Sequence, residues 1–124
     1  MSVDDVFRRM WSDQRAFMGL LVSTGRFPEF PVDITSKTGQ QDIVNVFHHC
    51  SDELHEAKFE LKNAKRHRKT EIDEFDREHF IEELVDAQKL LLELLIMSGV
   101  SMEEFVDTYF KKSEVNETRV RNNY

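Results

Sequence analysis

The residues whose spacing holds the most chemistry are four carboxylates on two segments: Glu53 and Glu56 in DELHE, and Glu83 and Asp86 in ELVD. Residues three or four apart share a helical face. On the later segment Glu83 aligns with Phe80, Ala87, Leu90 and Leu94, an apolar face, and Asp86 borders that stripe. Glu82, Lys89 and Glu93 fall further round, on the side expected to meet water. On the earlier segment Glu53 and Glu60 flank Leu54, Ala57 and Leu61, with Glu56 one turn from Glu53. Packing the segments through these stripes would gather Glu53, Glu56, Glu83 and Asp86 at one end of the seam. Burial of an unpaired carboxylate is strongly unfavourable, and four together repel one another. Protonation offsets that cost; so does a divalent cation, and hard oxygen donors in close array suit Mg²⁺ or Mn²⁺. Acid pairs at this spacing are also ordinary on solvated helix surfaces in a chain with 24 acidic residues. The apolar setting of Glu83 is what that alternative does not explain.

Two further groups stand out. In the tail YFKKSEVNETRVRNNY a continued helix puts Tyr109, Lys112, Asn116 and Arg119 on one face, with Glu114, Glu117 and Arg121 on the other. A cation, an amide and a guanidinium in line suit a polyphosphate. The same residues also suit a solvated helix end whose basic groups complement the dipole. Gln14 lies in the apolar stripe of the first helix, between Met10 and Phe17. A buried primary amide needs partners for both its oxygen and its nitrogen, from the protein or from a nucleobase edge. The five histidines form no metal-ligand pattern. Cys50 reads as core, Trp11 and Phe47 as core or interface, and KNAKRHRK as a solvated helix end or turn in which Lys65 or Arg68 could reach a phosphate.

The elements that must position these groups are helices. The first starts behind Ser2, carries Val3, Phe7, Met10, Phe17 and Leu21 on one face, and stops before the loop marked by Gly25, Pro28 and Pro31. Thr38 with Gln41 is a capping-box pattern opening a second helix, whose stripe is Ile43, Phe47, Cys50, Leu54, Ala57, Leu61 and Ala64. A third helix runs from about Glu78 to Met97 and ends at Gly99. Ser101 with Glu104 caps a fourth that enters the polar tail. Strand-like alternation is absent. The expectation is one all-α domain over 1–124, a bundle of four to five helices with the second and third antiparallel.

Composition narrows the partners. Seventeen basic against 24 acidic residues give a net charge of −7, which argues against nucleic acid and membrane surfaces and for cation-bearing ligands. A single cysteine excludes an internal disulfide and fits a reducing compartment. With no apolar signal core and no run of membrane-spanning length, a cytoplasmic protein is expected.

DELHE, a long spacer and ELVD resemble the E-E-x-x-E … E-x-x-D pattern of the all-α nucleoside triphosphate pyrophosphatases, the superfamily of MazG-type enzymes, dimeric dUTPases and phage dCTPase/dUTPases. Asp52 stands where the pattern has its first Glu. The tail is similar to the dUTPase ending in the spacing of Tyr109, Lys112, Asn116, Arg119 and Tyr124, and MWSDQ resembles the first-helix segment that bears a base-reading Gln. Met18 and Asn123 depart from that family's usual Asn and Gly. The resemblance implies that Glu53, Glu56, Glu83 and Asp86 hold Mg²⁺ and perform the catalysis. It implies that Lys112, Asn116 and Arg119 bind phosphates, with Tyr109 and Tyr124 at the substrate and Gln14 at the base. The activity implied is hydrolysis of a deoxynucleoside triphosphate, dUTP foremost, to monophosphate and pyrophosphate, by a homodimer or tetramer. The alternatives are the same chemistry on dCTP, a purine or a modified nucleotide, or a non-catalytic helical nucleotide-binding or interaction module.

Overall fold

A computed structural model of the chain describes residues 2–123, and at Val3 and Asp4 the backbone alone. Among the described residues there are four α-helices and no strand: α1 (Val3–Ser23), α2 (Lys37–Phe59), α3 (Arg77–Met97) and α4 (Met102–Arg121). They form two compact units, one from Asp33 to Leu94 and one from the residues up to Val32 with those from Leu95 onward. The chain passes between the units within α3. None of the four helices is long and apolar enough to cross a membrane.

In the Asp33–Leu94 unit, α2 begins two residues earlier than the Thr38 pattern predicts. Asp33 starts the turn: its Oδ1 accepts from the Thr35 amide at 3.0 Å and the Thr35 hydroxyl at 2.7 Å. Ser36 Oγ then donates to the Asp33 carbonyl and accepts from the Gly39 amide, both at 2.9 Å, so Ser36 is the N-cap. This turn brings the Asp33 carbonyl so close that a Cβ on Gly39 would lie 2.0 Å from it. At its other end α2 stops at Phe59, which leaves Leu61 and Ala64 outside the helix on which their spacing placed them. Beyond Glu60 and Leu61 the chain enters the basic run from Lys62 to Lys69, which offers no apolar face for packing to extend the helix.

Helices α2 and α3 run antiparallel, as the contacts between them count down one helix and up the other. Cys50 Sγ donates to the Ala87 carbonyl at 3.6 Å, Glu53 and Glu56 meet Glu83, and Glu60 meets His79. The seam is filled by small or slim side chains, Ile43, Val46, Cys50, Ala57, Ala87 and Leu90, all buried. Phe47 and Leu54, expected on the α2 stripe, are about half exposed at 56% and 49%.

In the other unit, the Ser2 side chain accepts from the Asp5 amide while Asp5 accepts from the Ser2 amide, the reciprocal box that starts α1. The buried stripe of α1 is Trp11, Gln14 and Met18; Met10 and Phe17 are exposed. The stripe keeps the expected period but is rotated by about one residue. The cause is Phe105 of α4, which stacks on Phe7 at 5.9 Å and on Trp11 at 6.3 Å and so selects the face of α1 that turns inward. At the end of α3, Gly99 has φ +81°, its amide bonds to Ile96 O, and the Val100 amide reaches Leu95 O. This left-handed close is cheap only for glycine. Ser101 Oγ accepts from the Glu104 amide at 3.1 Å and starts α4, as its spacing predicted.

Gly39→Ala should destabilise the protein by roughly 1–3 kcal/mol, the scale of a forced backbone or overpacking shift, because the clashing atom is a backbone oxygen. Urea unfolding of the two proteins measures it; equal midpoints would show that the Asp33 turn yields without cost.

Candidate functional site

Glu53 lies one turn above Glu56 on α2, and the antiparallel α3 presents Glu83 opposite both. One carboxylate oxygen from each of the three lies within 4.8 Å of the other two. Their burial is graded: Glu56 is exposed, Glu53 partly covered, and Glu83 only 8% exposed. Glu83 Oε2 is buried and has no hydrogen-bond partner. The Glu53 carboxylate beside it and its own burial raise the Glu83 pKa above the ordinary value, while Glu56 and His79 pull it down. A neighbouring negative charge and the loss of water both oppose ionisation, so the native site holds its proton more tightly than the unfolded chain does.

Asp86, the fourth expected ligand, is exposed and lies outside this group of three. It follows Glu83 by three residues, less than a full turn, and the rotation carries it off the face that meets α2. Two imidazoles that sequence reasoning passed over border the carboxylates instead. His79 Nε2 lies 3.3 Å from Glu83 Oε1 and 3.5 Å from Glu60 Oε1, and His49 Nε2 lies 3.6 Å from Glu53 Oε1. The signal was present as His-to-Glu spacings of four residues on each helix, which are neighbours on a helical surface.

The donor set fits a hard divalent ion. It is all oxygen, it brings three carboxylates into reach of one centre, and one of its oxygens is buried without a partner. A buried Glu83 in this setting needs either a proton or a cation, and Oε2 is its buried, unpartnered atom. A depression at the start of α2, lined by Thr35, Lys37, Gln40, Gln41, Val44 and Asn45, contains no carboxylate and no part of this group.

Glu93, expected to face water, is 5% exposed, and its burial raises its pKa. In the second half of α3, Leu90, Leu92, Leu94, Ile96 and Met97 are all buried, while Gln88, Lys89 and Leu91 are exposed. From Leu92 to Met97 every residue but Leu95 is buried, and Glu93 is taken inside with its neighbours.

The remaining expected site residues belong to the other unit. Gln14 is 3% exposed and its Oε1 has no hydrogen-bond partner. The amide oxygen is thus left in need of a donor, as its place in the stripe suggested. On α4 the helix continues through Arg121, which gives Tyr109, Lys112, Asn116 and Arg119 the helical spacing expected of them, all exposed. Tyr109 packs its ring edge-on against Phe105 at 6.3 Å and Phe110 at 5.4 Å. Arg121 pairs with Glu117 on the other side of the helix. Tyr124 lies outside the described residues. No protein family, curated protein or solved structure matches this chain.

Two outcomes follow from the buried polar groups. Glu93 has a raised native pKa, so the folded protein binds the proton more tightly than the unfolded chain. Stability therefore falls as pH rises from the ordinary carboxylate value of 4.5 through the raised one. Glu93→Gln should flatten that slope and stabilise the protein at pH 7, as read by thermal unfolding across pH; an unchanged slope would show Glu93 ionised at no cost. Gln14→Met, which fills similar space and removes the orphaned oxygen, should raise stability by about 1 kcal/mol or more. A loss of stability would show that the amide has a partner after all.

Proposed function

We propose that the protein is a Mg²⁺-dependent nucleoside triphosphate pyrophosphohydrolase that converts a deoxynucleoside triphosphate, dUTP foremost, to its monophosphate and pyrophosphate. The observation that carries this reading is the meeting of Glu53, Glu56 and Glu83 from two helices, with a buried, unpartnered oxygen on Glu83. Glu53, Glu56 and Glu83 would hold the metal, and Asp86, exposed and outside their group, would act on it only through an intervening water. When bound, Mg²⁺ neutralises phosphate charge and acidifies a coordinated water.

The protein's own groups account for the rest of the chemistry. Exposed Glu56 is the carboxylate with freedom to orient a water and take up its proton, whereas buried Glu83 is fixed by packing. His79 holds the Glu83 carboxylate from one side, and His49 holds Glu53 from the other. Lys112 and Arg119 would stabilise charge on the transferring and departing phosphate oxygens, with Asn116 as a donor and Tyr109 beside the substrate. Gln14 would give its orphaned Oε1 to a donor on the base edge. The pyrimidine imide N–H of dUTP and the exocyclic amine of dCTP both offer one, so dCTP remains the second substrate to test. No covalent nucleophile is required: Cys50 is buried, its thiol pKa is raised by burial, and its Sγ is engaged with Ala87.

The reading includes a homo-oligomer. On α3 Ile81, Leu84, Val85 and Leu91 are exposed at helical spacing, and α4 exposes Phe110, Val115 and Val120. Such exposure is what a subunit interface would cover.

Incubation with each dNTP and Mg²⁺, assayed for pyrophosphate, tests the proposal. Hydrolysis should be fastest with dUTP, and Glu83→Gln should lower kcat by at least roughly a hundredfold, more than loss of an outer-shell partner costs. Release of pyrophosphate from no nucleotide, or full activity in Glu83→Gln, would refute it.

A further inference from the structure

The segment between α2 and α3 holds the densest positive charge in an acidic protein. From Lys62 to Lys69 it carries Lys62, Lys65, Arg66, Arg68 and Lys69 with no acidic residue among them. All five are exposed, and among the described residues none is in an ion pair, although Glu71, Asp73, Glu74 and Asp76 follow in the same connection. The segment is also closed on itself. Asn63 Nδ2 donates to the Ile72 carbonyl and Asn63 Oδ1 accepts from the Ile72 amide, both at 2.8 Å. One side chain thereby ties the two ends of an eight-residue loop, 64–71, which carries Lys65, Arg66, Arg68 and Lys69. A run of like charges repels itself and has no reason to be gathered by a clamp unless something offsets the repulsion.

The root of this loop lies at the carboxylate site. Glu60, the residue that closes α2 three positions before Asn63, shares the Nε2 atom of His79 with Glu83, at 3.5 and 3.3 Å. Glu56 is in the last turn of α2 and His79 in the first turn of α3, so the acids and the loop occupy the same end of the helix pair. Among the described residues none of these Lys and Arg side chains pairs with the acids at this end of the helix pair, which leaves their donors available to an anion delivered there.

We infer that the Asn63-closed loop 64–71 is a polyphosphate-binding strap, whose Lys65, Arg66, Arg68 and Lys69 take the outer phosphates of a nucleotide held at Glu53, Glu56 and Glu83. This rests on the metal-dependent reading of those three carboxylates. The division of labour has a physical basis: the acids recruit the cation that a triphosphate brings, and the loop neutralises the remaining negative charge of its terminal phosphates. Asn63 is the positioning residue, keeping the cations gathered before the ligand arrives.

The test is calorimetric binding of inorganic tripolyphosphate with Mg²⁺ to three full-length proteins: the wild type, the variant with Lys65, Arg66, Arg68 and Lys69 all changed to Gln, and Glu83→Gln. The loop substitutions are at exposed positions, and circular dichroism confirms the fold. The loop variant should bind tripolyphosphate at least roughly tenfold more weakly, the scale of one lost charge-assisted hydrogen bond. It should bind Mn²⁺ alone as the wild type does, and its affinity should depend less steeply on salt. Asn63→Ala should weaken tripolyphosphate binding and leave Mn²⁺ binding unchanged. Wild-type affinity in the loop variant, with binding lost in Glu83→Gln, would overturn the strap and leave the metal site standing. Loss of tripolyphosphate binding in the loop variant alone, with no Mn²⁺ binding to the wild type, would overturn the metal reading and the role built on it. A loop variant that loses a single-stranded oligonucleotide while retaining tripolyphosphate would assign the loop to nucleic acid and refute the inference.

Discussion

Three carboxylates brought within 4.8 Å of one another, one of them buried, constitute an electrostatic load that the Asp33–Leu94 unit must carry. Two antiparallel helices packed through small side chains create the load, because Cys50, Ala57 and Ala87 allow the backbones to approach until facing acids meet. His79 lies against Glu83 and His49 against Glu53 at the flanks, and the Glu83 pKa is raised by Glu53 and by burial. A helix pair selected only for stability would place a neutral or apolar residue at position 83. The buried oxygen there is where the local rules of folding are broken, and such breaks concentrate where ligands bind.

The same logic extends to the other buried polar groups. Gln14 and Glu83 are each buried with an unpartnered oxygen, one in each compact unit. Their needs are opposite: an amide oxygen seeks a hydrogen-bond donor, whereas a carboxylate oxygen seeks a proton or a cation. Glu93 differs. It is buried among buried neighbours, it belongs to no described acidic cluster, and burial is the cause that raises its pKa.

Much of this was legible in local sequence. The caps at Ser2 and Ser101 follow from a side-chain acceptor placed three residues before a free amide, an interaction contained in a single turn. The third helix runs from Arg77 to Met97, within one residue of its expected start, because its periodicity is long and its stop is a glycine. The α2 start was misplaced at Thr38 because Asp33, outside the helix, organises the turn that selects Ser36. The inward face of α1 was misjudged because the stripes through Met10 and through Trp11 have equal periodicity. Phe105, nearly a hundred residues away in the chain, decides between them.

From sequence alone came the helical class, the alignment of Glu83 with an apolar stripe, the pairing of α2 with α3, and the exposed line of Tyr109, Lys112, Asn116 and Arg119. All of these rest on interactions within a helix or on the period of its apolar face. Only tertiary structure decided that Asp86 stays outside the carboxylate group, that Glu93 goes inside, that His79 and His49 flank the acids, and that Asn63 closes a cationic loop beside them. Those outcomes depend on how far each helix is rotated about its own axis and on what is packed against it. Helical periodicity repeats along the chain and defines a face, but the rotation that commits that face is set by side chains elsewhere in the fold.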